Sequence, residues 1–322
     1  MQRSISKKIW LISGKFLFTV LTCGVLYFQL KDFQFYQYYQ NFDISLSYVL
    51  SLILTALLTV ANIALEAYKW FILARSIHPT FSWQDGIRGT LLGLSAAIIT
   101  PGRLGEYLGR LWNIPKELRA PGLFLVFITR LAQLSVTIWG VLILYNSNRV
   151  PKELLFIFEI IPEWLLLAIG VFIAGLYSAI VLRPDFFVKA TSYLTQKYRD
   201  FIYLIVVIPK RFFLINFWAS CLRYIVFLLQ YWLLFDDTGD VSLLDLSTCV
   251  SLVFFIKSII PSIAVAELGV RGSIALWVLA PTGISAGSIL SVTALIYLIN
   301  QVFPAIAGWF IGVRIKKTEY SK

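Results

Sequence analysis

The sequence predicts an all-α, polytopic integral membrane protein with about eight transmembrane segments. Two of these are broken or re-entrant helices, and the whole is arranged as an inverted repeat. Three observations predict this. The chain is 59% hydrophobic and only 14% charged, with a mean hydropathy of +0.79, whereas soluble chains carry about 25% charged residues. Its apolar runs are separated by short basic stretches. And one motif, an apolar run broken by proline and followed by Glu-x-x-x-Arg, occurs twice: at Pro101, Glu106 and Arg110, and at Pro261, Glu267 and Arg271. The two glutamates are 161 residues apart, as are the two arginines, which is half of the 322 residues. The reading is a single transmembrane domain over 1–322, with repeat halves of about 1–160 and 161–322. No long polar block is present to build a soluble domain.

A helix needs about 20 apolar residues to cross the roughly 30 Å hydrocarbon core. Arg3, Lys7 and Lys8 precede an apolar run over about 9–30. It is too long for a signal-peptide core and no small-residue cleavage site follows, so it reads as an uncleaved first span. Residues 31–43, rich in Tyr, Phe and Gln, suit the interface. A second span covers about 45–73 and meets Lys69, Arg75 and His78 at its end. The next apolar segment, 90–100, has eleven residues before Pro101 and Gly102. At 1.5 Å per residue it reaches about 16 Å, half the core, so it is expected to enter from the cytoplasm and stop near the midplane.

The chain then returns to a basic patch with Lys116 and Arg119, and spans again over about 121–145. Residues 146–163 are polar, and a span follows over about 164–182. The stretch 183–211 is strongly basic and reads as cytoplasmic and partly amphipathic along the surface. After a span at about 212–235 comes the acidic loop 236–240. Residues 243–260 enter from outside and break at Pro261, and 273–280 supply only eight apolar residues for the return. The last span, about 287–312, ends in Arg314, Lys316 and Lys317. The Lys/Arg bias places both termini in the cytoplasm.

The net charge of +11 sits between apolar runs. That is the pattern of loops facing anionic lipid, and it points away from nucleic acid. Cys23, Cys221 and Cys249 lie singly in apolar segments with no metal-site spacing, and His78 is the single histidine. No phosphate-cradling Gly-Lys-Ser/Thr loop, zinc-type His/Glu pair or Ser/His/Asp set is present. The chain therefore reads as transporter-like rather than enzymatic, with no cofactor and with membrane lipids as partners.

A charge at the centre of a membrane helix costs about 2.5–3.5 kcal/mol. A surface i, i+4 pair recovers only about 0.3–0.5 kcal/mol. Glu106–Arg110 and Glu267–Arg271 are therefore expected to face a hydrated cavity. One reading has each pair neutralise itself and pin the fold. The other has Arg103, Arg110 and Arg271 bind the phosphate of an anionic headgroup, with the glutamates holding them or carrying a proton. A helix restarting after Pro101-Gly102 would aim unpaired N–H groups at such an anion, and Ser262 could cap the restart after Pro261. Arg130 is expected to meet one of the glutamates, and Lys257 lies too deep to reach the surface. Lys69 and Arg223 are expected to reach the cytoplasmic face. Asn62 and Asn300 read as helix–helix hydrogen-bonding groups, and Glu66 is a further intramembrane charge.

The run Pro101-Gly-Arg-Leu-Gly-Glu106, with Asn62 and Trp70 upstream and Thr129-Arg-Leu131 downstream, resembles the lysylphosphatidylglycerol synthase transmembrane (flippase-like) family. Pro261 with Leu268-Gly-Val-Arg271 resembles its second signature. In the family's usual form a Glu directly follows that Arg, whereas here Gly272 follows and Glu267 precedes. Longer members carry a soluble aminoacyl-transferase domain after the membrane part. This chain ends eleven residues after Ile311, so a stand-alone member without lysyl transfer is expected. The resemblance implies a flippase-like protein of the bacterial cytoplasmic (inner) membrane that moves a phospholipid or glycolipid headgroup between leaflets. Two other classes stay open: a scaffold for a partner synthase or glycosyltransferase, and a membrane transferase using Glu106 or Glu267 as base.

Overall fold

Among the described residues, every regular element of the computed structural model is helical. It describes residues 45–100, 103–145, 163–182, 208–235, 241–260 and 264–320. The expected first span at 9–30, most of the basic stretch 183–211, and the break residues Pro101, Gly102, Pro261 and Ser262 lie outside them.

Helix α1 runs Leu46–Ile77. Then come α2, Trp83–Ile99, and the six-residue α3, Gly105–Arg110. They are followed by α4, Arg119–Tyr145, α5, Glu163–Leu182, and α6, Lys210–Phe235. Helices α7, Leu243–Ile259, and α8, Ala264–Leu279, flank the second break. Helix α9, Ala286–Tyr297, continues through a π-helical turn, Leu298–Val302, into α10, Phe303–Tyr320. Among the described residues, four helical stretches are long and apolar enough to cross a membrane: Leu46–Ile77, Lys116–Ile143, Lys210–Phe235 and Ala286–Val313.

Two of the broken segments are longer than their apolar runs suggest. Helix α2 begins at Trp83, not Thr90, and has 17 residues, about 25 Å. Ser82 caps it: Ser82 Oγ accepts from the Asp85 amide at 3.2 Å, and the Asp85 carboxylate accepts from the Ser82 amide at 3.0 Å. This reciprocal cap lets a polar first turn join the helix. Helix α7 also has 17 residues and starts the same way, with Ser242 Oγ accepting from the Asp245 amide. Helix α8 has 16 residues rather than eight, because its first turns carry the charged pair. Apolar run length misses such turns.

The outer faces are apolar, and the inward face of α1 carries a polar stripe. On α1, Leu46, Leu50, Ile53, Leu57 and Val60 are exposed, while Thr55, Thr59, Asn62, Glu66 and Lys69 are buried. Their spacing of four and three marks one helix face. On α6, Leu214, Trp218, Leu222, Ile225 and Leu229 form the outer stripe. Apolar residues pack into two clusters. One holds Trp70, Leu73, Phe81, Leu125, Ile128 and Phe213. The other holds Ile138, Leu142, Tyr231, Leu252, Val278 and Ile296. Both draw on α4 and α6; along α6 Arg223 falls between them, and on α4 Arg130 stands within the first cluster's stretch, between Ile128 and Leu131.

Helix α3 lies almost in contact with the α2 backbone, and its glycines explain why. A Cβ on Gly109 would collide with the Gly93 backbone, and one on Gly105 with the Ala96 carbonyl. The glycines of the first motif are thus set by close approach. Helix α1 packs on α2, α4 and α6, and α6 packs on α7 and α9. Likewise α2 meets α3 and α10, while α7 meets α8 and α4.

Candidate functional site

Three buried glutamates organise the charged centre. Glu66 of α1 pairs with Arg110 and Arg223, and with Lys69 at 3.5 Å. Glu106 of α3 pairs with Arg110 at 2.6 Å, with Arg103 at 3.5 Å and with Arg130 of α4. Glu267 of α8 pairs with Lys257 at 2.8 Å, with Arg271 at 3.0 Å and with Arg103 at 3.8 Å. Arg103 therefore reaches the glutamates of both motifs. It also donates from Nη1 to Gln301 Oε1 at 3.0 Å.

The expected meeting of Arg130 with a glutamate is present, at Glu106. Lys69 and Arg223, expected at the cytoplasmic face, turn inward instead, to the buried Glu66. Lys69 is fully buried, and Arg223 donates to Glu66 and, at 2.6 Å, to Asn62 Oδ1. The buried Glu66 holds both cations inside, Lys69 from one turn along α1 and Arg223 from α6, and leaving Glu66 buried without them would be far costlier. The helical spacing of Thr55, Thr59, Asn62, Glu66 and Lys69 was the signal in the sequence for this polar face.

A cavity of about 180 Å³ opens at this centre. Among its walls are Glu66 and Asn62 from α1, Arg103 and Glu106 from the first motif, and Arg130 and Gln133 from α4. Arg223, Lys257, Arg271, Asn300 and Gln301 also line it. Arg110 and Glu267 stand behind the wall, each paired to residues on it. Side-chain exposure separates the cations: 33% for Arg130, 24% for Arg103 and 21% for Lys257, against 0% for Arg110. The Arg271 guanidinium lies 5.4 Å from the Tyr297 ring centroid, a cation–π distance.

Backbone geometry adds two features. Arg103 has φ of 59°, the left-handed region that side chains with a Cβ rarely adopt. The chain there is held by the Arg103 amide donating to the Thr100 carbonyl. The Gly105 amide donates to Thr100 Oγ1 at 2.7 Å. The Arg103 and Gly105 amides at this end of α3 are thus bonded to their own chain, and the side-chain cations are the main source of positive charge at the cavity. The second feature is the π-helical turn. Pro304 has no N–H to give the Asn300 carbonyl, and its ring crowds that carbonyl, so the helix widens just before it. The wider turn presents the neighbours Asn300 and Gln301 to the cavity.

A buried polar column continues from the cavity along α1. Asn62 Nδ2 donates to Asn300 Oδ1 at 3.3 Å, and Asn300 Nδ2 donates to Gln230 Oε1 at 3.0 Å. Gln230 Nε2 donates to Thr59 Oγ1 at 2.9 Å and to the Thr55 carbonyl at 3.1 Å. Asn62 and Asn300 are helix–helix bonding groups, as expected, and also part of this wall.

Among the described residues, no group of His, Cys, Asp and Glu is placed to hold a metal ion. Comparison with protein families, with curated proteins and with solved structures found no match.

Proposed function

We propose that this chain is a lipid translocator. An anionic headgroup enters the charged cavity and passes between leaflets while the acyl chains stay in the bilayer. One observation carries the reading: a cavity walled by apolar-backed membrane helices holds more cations than carboxylates, and its cations are the more exposed partners. Such a site is unfavourable when empty of anions and favourable for a phosphate that partitions at the membrane surface. In this reading Arg103, Arg130, Lys257, Arg223 and Arg271 contact the headgroup. Arg110 and Lys69 are positioning residues that hold Glu66 and Glu106. The bacterial cytoplasmic membrane is the proposed location.

The packing supports two related halves. Exchanging α1 with α6, α2 with α7, α3 with the start of α8, and α4 with α9–α10 turns four of the contacts into others that are present: α1–α2 into α6–α7, α2–α3 into α7–α8, α3–α4 into α8–α9, and α4–α7 into α10–α2. Ser82 and Asp85 stand 160 residues before Ser242 and Asp245. Two rigid halves around a shared midplane site are the arrangement of alternating access.

Reconstitution tests the proposal. Protein in liposomes with fluorescent phospholipids would be followed by external dithionite quenching. Wild-type protein should expose inner-leaflet lipid, and the Arg130→Gln/Lys257→Gln double variant should not. A folded wild-type protein that moves no lipid overturns the reading.

A further inference from the structure

The charge count of the site goes beyond "anionic". Arg103, Arg110, Arg130, Arg223 and Arg271 belong to one connected network with Glu66, Glu106 and Glu267. Arginine stays protonated in proteins. Five arginines against three glutamates leave two positive charges, even with Lys69 and Lys257 both neutral. With both lysines charged the excess is four. Among the described residues no other carboxylate pairs with this network.

We infer that the site is built for a phosphoryl group carrying about two negative charges, a phosphomonoester or a diphosphate, rather than for a phosphodiester. This rests on the proposed headgroup site. A phosphodiester brings one negative charge and leaves an arginine uncompensated in a poorly solvated place. A phosphomonoester brings about 1.5–2, and a diphosphate ester at least as much. An aminoacylated headgroup adds positive charge to an existing excess and fits worst.

Geometry agrees. The cations stand around three carboxylates, Arg223 at Glu66, Arg130 at Glu106, and Lys257 with Arg271 at Glu267, and Arg103 bridges the two motifs through its contacts to Glu106 and Glu267. A group with several terminal oxygens can accept from both sides at once. The cavity of about 180 Å³ falls below the ~300–1,000 Å³ of drug-sized ligand pockets. That size suits a compact phosphoryl group.

The test uses the full chain in phosphatidylcholine nanodiscs doped with one probe at a time: phosphatidic acid as lipid phosphomonoester, or phosphatidylglycerol as lipid phosphodiester. Inorganic diphosphate is titrated separately as the soluble probe. Phosphatidic acid should bind at least about tenfold more tightly than phosphatidylglycerol, the effect of less than one full unit-charge contact. Arg130→Gln and Lys257→Gln should each narrow that gap. Should either variant misfold, the wild-type comparison decides alone. Equal or tighter binding of phosphatidylglycerol overturns the inference and leaves the lipid reading standing. Diphosphate binding with no response to either lipid supports the dianion site and overturns the lipid reading. Binding of none of the three overturns both.

Discussion

Arg110 is sealed between Glu66 and Glu106, donating from one nitrogen, Nη2, to a carboxylate oxygen of each. No part of its side chain is exposed, and neither its Nε nor its Nη1 has a hydrogen-bond partner. It joins α1 to α3 rather than facing the cavity. Removing one partner of a buried pair costs about 3–5 kcal/mol, because the other charge stays buried without compensation. Arg110→Ala is therefore expected to lower stability by about that amount, read as a fall in the unfolding midpoint in detergent. A variant with wild-type stability that still fails to move lipid would put Arg110 at the headgroup instead.

Arg130 makes the opposite case. Its partner Glu106 also holds Arg103 and Arg110, so Arg130→Gln leaves that carboxylate paired. Its partial exposure means that little buried charge is disturbed. The variant should stay within about 1 kcal/mol of wild type in unfolding. Lipid transport, or anion binding, should fall about tenfold or more, since an accessible charge–phosphate contact is worth at least ~1.4 kcal/mol. Unchanged transport would remove Arg130 from the site.

The sequence made the helical membrane class legible because lipid-facing stripes are apolar on every long helix, and composition carries that directly. It also made legible the two Glu-x-x-x-Arg motifs and that Arg130 meets one of the glutamates, since a buried charge needs a partner and few are in reach; which glutamate it meets was not legible. The roles of Lys69 and Arg223 were not legible. A cation near a helix end can extend to water or turn inward, and only the position of Glu66 across α1 and α6 decides. The lengths of α2 and α8 were hidden for a related reason: capped or charged turns continue a helix without adding apolar residues. The π-helical turn that brings Asn300 and Gln301 to the wall follows from Pro304, a cue readable only once the cavity is known.

Asn62 and Arg223 are hydrogen-bonded at 2.6 Å and stand 161 positions apart, the separation of Glu106 from Glu267. In a pair of halves related by a two-fold axis, equivalent residues meet each other at the axis. The proposed repeat thus places this bond at the centre of the movement. Asn62→Ala should leave Arg223 with Glu66 and the long contact to Gln133 at 3.5 Å and cost about 1–3 kcal/mol. Read by a double-mutant cycle with Arg223→Gln, the two changes should be clearly non-additive, by more than ~0.5 kcal/mol. Additive losses would mean that the bond contributes nothing of its own.

Gly109 meets the Gly93 backbone where α3 crosses α2, so Gly109→Ala is expected to push the two helices apart. Overpacking of this kind costs about 1–3 kcal/mol. Because α3 carries Glu106, the shift should also loosen Arg103 and Arg130 and reduce transport. Gly175 has nothing near its Cβ position, and Gly175→Ala is the matching control. Equal stability of the two variants would contradict the close approach.

Arg103 separates backbone from charge. Its φ of 59° costs an ordinary residue about 1–2 kcal/mol, whereas glycine adopts it freely. Arg103→Gly and Arg103→Ala both delete the guanidinium that links Glu106 to Glu267, but only alanine keeps the strain. The glycine variant should be the more stable of the two by about 1 kcal/mol. Both should lose transport to a similar degree, since both lose the charge shared by the two motifs. If glycine restored transport, the left-handed turn itself would be the functional element. If both variants transported normally, the bridge between the two glutamates would have no part in moving lipid.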